Sequence, residues 1–342
     1  MTIDQKPVMH LYLHVGQPKS GTTAIQRAFA HYSDEDPAPI IYYPKAGRRE
    51  RKLVGHHNLA YELHDPAKFR ADLGSWYDMA AEVREKSADK VLISTEAFRG
   101  FLAPVVSAKI RKLFPEAALS VVLYLRPQWE YVESGYNQLM RFAKTDLSLD
   151  EFWAGTGKRI CDYRATVEIW DKAVGKQAVH CLPFDKTVRE KGVVRHFVWN
   201  ALKSESKFDD TARVNNRIGL MAMSGVRYSR DRMREVTGQP DASLPAGIVM
   251  QVSHLFRGHE RETLNYSFLS PELANEIYDT TVDTNRWLAA RYPAFDIPEF
   301  LKPPELGVAP LVRALPGLSN EDKAACDEIV QSAVTAKAWM KR

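Results

Sequence analysis

An apolar run, Met9–Val15, stops at Gly16-Gln17-Pro18, and helical spacing takes over at Thr23–His31. A run that short, cut by glycine and proline, predicts a buried strand, a tight loop and a helix in direct succession. The pattern continues along the chain. Val91–Thr95 reads as a buried strand, Leu119–Leu125 is the strongest strand of all, and Ala178–Pro183 completes the set. Ile40–Tyr43 is a further short candidate. His56-His57-Asn58 opens one helix, and another runs from about Gln128 to Phe142. Strands alternating with helices predict an α/β fold in three layers, with a central parallel sheet covered by helices on both faces.

Beyond Asp209 the character changes. Asp209–Ala290 shows helical periodicity without a convincing strand, Pro298–Pro316 reads as an extended connection, and Glu321–Lys341 as a terminal helix. One domain over residues 1–342 is expected. Its core lies at about 9–200, a helical region at about 209–300 and a C-terminal extension at about 301–342.

The composition is ordinary for a well-packed chain of 342 residues, 45% hydrophobic and 26% charged. A net charge of +4 does not imply a nucleic-acid partner. The three cysteines, Cys161, Cys181 and Cys326, have no CxxC spacing, which argues against a disulfide framework or a zinc site. Reduced thiols and an N-terminus without signal-peptide character predict a cytoplasmic protein. No window approaches the length of a membrane span.

The chemistry concentrates in Gly16-Gln17-Pro18-Lys19-Ser20-Gly21-Thr22-Thr23. Gly16 and Gly21 allow backbone N–H groups to turn inward around an anion. The helix that follows adds its positive end, and Ser20, Thr22 and Thr23 add hydroxyl donors. The nucleoside-triphosphate loop requires Lys-Ser or Lys-Thr directly after the second glycine. Here Thr22-Thr23 hold those places and the lysine stands earlier, at Lys19.

Pro18-Lys19-Ser20-Gly21-Thr22-Thr23 resembles the 5′-phosphosulfate loop of the P-loop-type sulfotransferases that use 3′-phosphoadenosine 5′-phosphosulfate (PAPS), in a bacterial-like branch. A second anchor agrees. Strand Leu119–Leu125 ends at Arg126, and Ser134 follows on the predicted helix, similar to the arginine and serine that share the 3′-phosphate in that family. Phe184-Asp185, after the last strand, resembles the family's aromatic–acidic pair near the adenine, although Phe184 reads equally well as core. Ala24 stands where the cytosolic small-molecule branch has tryptophan, and there is no Arg-Lys-Gly near the C-terminus. Arg213 or Arg217 could substitute for that tripeptide, and a solvated basic face explains them as well.

The resemblance implies transfer of a sulfuryl group from PAPS to a hydroxyl acceptor, with a carbohydrate or glycolipid as the expected class and no metal. Lys19 would stabilise charge on the leaving oxygen. The acceptor needs a general base. Glu96, just beyond the Val91–Thr95 strand, is the first candidate, and His57, with its neighbour His56, the second. A capping or ion-paired role is the other account of Glu96. The helical region and the basic run Arg48–Lys52 are expected to shape the acceptor side. The alternatives are a P-loop kinase using ATP and magnesium, and a non-catalytic nucleotide-binding protein on the same fold.

Overall fold

Strands β1 (His10–His14), β2 (Lys90–Ser94), β3 (Ala118–Leu125) and β4 (Val179–Pro183) form one parallel sheet in the order β2-β1-β3-β4 in the computed structural model. The structure describes residues 9–37, 39–48, 54–205, 218–240 and 243–336. The helices of six residues or more among the described residues are α1 (Thr22–Glu35), α2 (His57–His64), α3 (Trp76–Lys86), α4 (Ala103–Leu113), α5 (Gln128–Arg141), α6 (Tyr163–Val174), α7 (Lys186–Lys191) and α8 (Val193–Asn200). Four more follow: α9 (Leu220–Thr237), α10 (Ala246–Leu255), α11 (Pro271–Arg291) and α12 (Asn320–Thr335). Among the described residues, no helix is long and apolar enough to cross a membrane.

The chain divides into two compact units. The first draws on 1–127, 162–214 and 281–302, the second on 128–161, 215–280 and 303–342.

In the first unit the strands are apolar on both faces because helices cover both. Tyr12, Leu92, Val122, Tyr124 and Leu182 share one cluster with Ile25 and Phe29 of α1 and Val194 and Phe197 of α8. Phe29 meets Phe197 edge-on at 5.5 Å, and burying each such ring contributes about 1.5–3 kcal/mol. The alternate positions Leu13, Ile93, Val121, Leu123 and Cys181 point the other way and are buried as well. There α6 packs on β3 and β4, with Asp171 and Tyr292 close to the Cys181 thiol. All three cysteines are buried and free.

The pairing register puts His10 beside both Lys90 and Ala118, and His14 beside both Ser94 and Val122. β1 and β2 therefore end level, β3 and β4 end level with each other three residues further on, and the loops after all four leave from the same end of the sheet. Because the chain passes from β1 to β2 on one side and then back across to β3, the gap between β1 and β3 is a topological switch point. Ligands of such sheets bind at that place.

Two elements differ from expectation. Ile40–Tyr43 makes one parallel bridge, Tyr42 to Val91, instead of a strand. Pro39 and Pro44 flank the run, and proline has no N–H to extend a ladder. The expected extended connection from Pro298 begins with a helical turn, Pro298–Leu301, that buries Phe300. Proline at its first position suits a helix start.

The second unit is helical. Met221, Val226, Ile248, Val252, Phe256, Cys326 and Val330 form its core between α9, α10 and α12. Ser319 and Asp322 close a capping box on α12, which fixes where that helix begins. Residues Arg49–Lys52, the positions Arg213 and Arg217, the first part of the Asp209–Ala290 region and the last residues of the expected terminal helix lie outside the described residues.

Candidate active site

The loop between β1 and α1 is tied down through its carbonyls. Gln17 O accepts from Ser20 N–H at 3.3 Å and from Thr22 Oγ1 at 3.3 Å. Lys19 O accepts from Arg126 Nη1 at 3.2 Å, and Gly21 O accepts from the N–H groups of Ala24 and Ile25. Arg126 N–H in turn donates to Gln17 Oε1 at 3.4 Å. The Ser20 N–H is spent inside the loop on Gln17 O, so the donors the backbone can offer an anion lie at the start of α1. The N–H groups of Thr22 and Thr23, first in α1, lie ahead of the helix's own hydrogen bonding.

Backbone conformation explains the residues chosen. Gly21 caps α1 at φ +77° with no side-chain cap, and a Cβ there would come within 2.8 Å of the Phe184 ring and 2.9 Å of Val193. A Cβ on Gly16 would run into the Thr22 side chain. Lys19 adopts φ +68° without being glycine, a strained conformation of the kind that clusters at ligand sites. Gly21→Ala should therefore cost about 1–2 kcal/mol from the backbone alone and displace Phe184 as well. Urea denaturation checks this, and an unchanged midpoint would contradict the geometry.

Ser20 is fully buried, and its Oγ has no hydrogen-bond partner among the described residues. A buried hydroxyl without a partner costs free energy unless something fills the place. It lies in the loop itself, between Lys19 and Gly21.

Arg126 leaves the carboxyl end of β3, its own carbonyl accepting from Tyr163 Oη at 2.7 Å. Its guanidinium lies 6.0 Å from the Phe184 ring centre, and that of Arg189 lies 5.8 Å from it. Phe184 belongs to the core cluster and is 8% exposed, so it packs chiefly as a core residue. Asp185 caps α7 by accepting from Val188 N–H at 2.7 Å. Ser134 stands half-buried on α5, in the second unit.

Beyond β2 the structure joins two residues that the sequence offered as rivals. His57 Nε2 lies 3.2 Å from Glu96 Oε2, with both side chains about one-fifth exposed. Gln26 Nε2, from α1, reaches the same oxygen at 3.4 Å and Ser94 Oγ at 3.3 Å. Both bonds to Glu96 fall on Oε2 and neither on Oε1. Burial pushes the Glu96 carboxyl up, but the hydrogen bond and charge of His57, with help from a backbone N–H and Gln26, outweigh it. The net pKa lies below the ordinary carboxylate value. His57 Nδ1 is buried without a partner.

His56 is a different case. Its Nε2 is 2.9 Å from Pro44 O, and its Nδ1 accepts from Ser94 N–H at 3.1 Å. Fully buried, it is held neutral by burial, with a pKa of about 3. Both nitrogens are committed to backbone, so His56 is a strut between the Pro44 turn and β2 and does not serve as a base.

Sequence reading missed Gln26 and His14. Gln26 is 3% exposed on the face of α1 that carries Ile25 and Phe29. A long polar side chain on an apolar helix face was the available signal. His14 ends β1 fully buried, with Nδ1 at 2.8 Å from Ser94 Oγ and Nε2 unpartnered. Burial takes its pKa down to about 4.

The fold class is thus a parallel α/β sheet with a carbonyl-tied loop, a carboxylate–imidazole pair and an arginine at the carboxyl ends of β1, β2 and β3. No family model and no curated protein matches the chain. Among solved structures, a sulfotransferase from Alicyclobacillus acidocaldarius is 20% identical, over 74% of this chain and 96% of that one, with a TM-score of 0.38. Likeness at that level carries no weight for function, which has to come from the site.

Proposed function

We propose that the chain is a PAPS-dependent sulfotransferase that passes a sulfuryl group to a hydroxyl, with a carbohydrate or glycolipid as the acceptor class. The observation that carries this is the loop of Gly16–Thr23. The carbonyls of Gln17, Lys19 and Gly21 are bound within the protein, its Ser20 hydroxyl is buried without a partner among the described residues, and its lysine precedes the second glycine instead of following it. Those features fit a 5′-phosphosulfate better than a magnesium-bound triphosphate, whose loop places the lysine after that glycine.

Bound PAPS supplies a sulfuryl group already attached to a phosphate leaving group. The protein's part is to position it and to stabilise developing charge. The hydroxyls of Ser20 and Thr23, with the N–H groups of Thr22 and Thr23, hold the 5′-phosphate. Lys19 faces the bridging oxygen, where negative charge grows as the bond breaks. Arg126 reads the 3′-phosphate, and Ser134 shares it, a role that rests on sequence spacing alone. Phe184 backs the loop at Gly21 and offers what little of its ring is exposed to the adenine. Glu96 takes the acceptor proton at Oε1 while His57 and Gln26 keep Oε2 in place.

Ligand-dependent melting tests the nucleotide assignment. A ligand that binds only the folded state stabilises it as RT ln(1 + [L]/Kd). At equal concentration, 3′-phosphoadenosine 5′-phosphate should raise the melting temperature more than ADP or ATP, and Arg126→Ala should erase the difference. Equal or greater stabilisation by ATP with magnesium would favour a kinase and overturn the proposal. Labelled PAPS offered to a library of hydroxyl acceptors then identifies the acceptor. Tight nucleotide binding with no turnover on any member would point to a non-catalytic binder.

A further inference from the structure

The second unit has a cavity of its own, about 600 Å³ in volume, a size that takes a small organic ligand. Tyr136, Met140 and Phe268 line it, buried to within 4%, 6% and 8% of full enclosure. Tyr136 and Phe268 meet edge-on at 5.2 Å. Three carboxylates and three cations also face it, and the two sets are not equally free.

Asp146 takes Arg227 at 2.9 Å and Arg230 at 2.8 Å. Asp231 takes Arg230 at 2.6 Å. Glu151 accepts from both the N–H and the hydroxyl of Ser148, closing a capping box. Each carboxylate is thus engaged inside the protein. The neutral donors are engaged too. Tyr136 Oη donates to Leu147 O at 2.9 Å, and Tyr228 Oη lies 3.2 Å from the Asp327 carboxylate. Ser224 Oγ sits 2.7 Å from Pro316 O, so its one proton is taken.

Arg313 and Lys323 remain. Among the described residues, neither comes within ion-pair distance of a carboxylate, although Arg313 influences Glu272 from farther away. An apolar floor beside two cations that lack a counter-charge selects a particular ligand. We propose that this cavity binds a small organic anion made of a ring with one carboxylate or sulfate, the ring on Tyr136, Met140 and Phe268 and the anion on Arg313 and Lys323. The ring can be that of an acidic sugar or of an aromatic acid. The proposal depends on this cavity alone and stands apart from the transfer reaction.

Calorimetric titration of the full chain at low salt tests it with two matched pairs, galacturonate against galactose and benzoate against benzyl alcohol. In at least one pair the acid should bind and its neutral partner should bind roughly tenfold more weakly or not at all. High salt should weaken the acid further, since both cations are exposed. Arg313→Ala and Lys323→Ala should each lower affinity roughly three- to tenfold, and Arg313→Lys should restore most of it. The pair that responds tells a sugar ring from an aryl ring. Equal binding within both pairs, no binding by either acid, or undiminished affinity in the alanine variants would overturn the proposal. The melting shift caused by 3′-phosphoadenosine 5′-phosphate should persist in these variants whenever the parent shows one, which separates loss of this site from loss of the fold.

Discussion

Replacing Glu96 with glutamine is expected to slow sulfuryl transfer about 10²–10⁴-fold, the usual cost of removing a general base, with nucleotide affinity nearly unchanged. Glutamine keeps the size of the side chain and can still accept from His57, so the pair's geometry survives while the proton acceptor is lost. The pH profile adds a second readout. The Glu96 pKa is held down chiefly by His57, against the effect of burial. A carboxylate whose folded-state pKa is depressed contributes stability above its unfolded value and loses it as pH falls through the folded one. The acid limb of the rate should accordingly lie below the ordinary carboxylate range in the parent. His57→Ala removes the group that lowers the pKa and leaves the burial that raises it, so the limb should move up in pH. Substantial activity in Glu96→Gln together with none in His57→Ala would instead make the imidazole the base.

That pairing shows where sequence reading stops. The strand–loop–helix of β1 and α1 was legible because it is local. An apolar run, two glycines, a proline and a hydroxyl cluster specify their conformation within a few residues. β3 and the arginine at its end were legible for the same reason. Glu96 and His57 are far apart in the chain, and nothing in their spacing says they touch. They meet because β2 lies beside β1 and because His56 fastens the start of α2 to Ser94 through its ring and its backbone. The adjacent histidines look alike in sequence, yet helix geometry sends one ring into the core and the other toward Glu96. Gln26 was hidden in the same way, since only the register of α1 against β2 turns it toward the carboxylate.

The two units illustrate a further limit. Residues 128–161 leave β3 for the second unit, and the chain returns to the first for α6 and β4. Composition does not change at those crossings. Pro127 and Asp162 look like ordinary loop positions, and the division is made by contacts remote in sequence, such as Glu133 Oε1 accepting from Ser267 Oγ at 2.7 Å and from Phe268 N–H at 2.9 Å.

Lys19→Ala is expected to lower turnover about 10²–10³-fold, the range seen when a donor to a developing oxyanion is removed, while binding of 3′-phosphoadenosine 5′-phosphate weakens much less. The loop's shape supports this split. The Lys19 carbonyl is held by Arg126, and the carbonyls of Gln17 and Gly21 are held by Ser20, Thr22 and the first turn of α1. On the proposed reading the 5′-phosphate is gripped by N–H groups at the start of α1 and by hydroxyls, and that grip does not need the ammonium group. Alanine at a position with φ +68° bears the same backbone strain that lysine already bears, so the variant should fold. What disappears is a positive charge beside the leaving oxygen, and that charge matters most when the bond is breaking. Measuring turnover by single-turnover transfer of labelled sulfuryl, and affinity by titration with the desulfated nucleotide, separates the two effects. If affinity falls as far as the rate does, Lys19 grips the ground state, and the charge on the leaving oxygen is met by other groups.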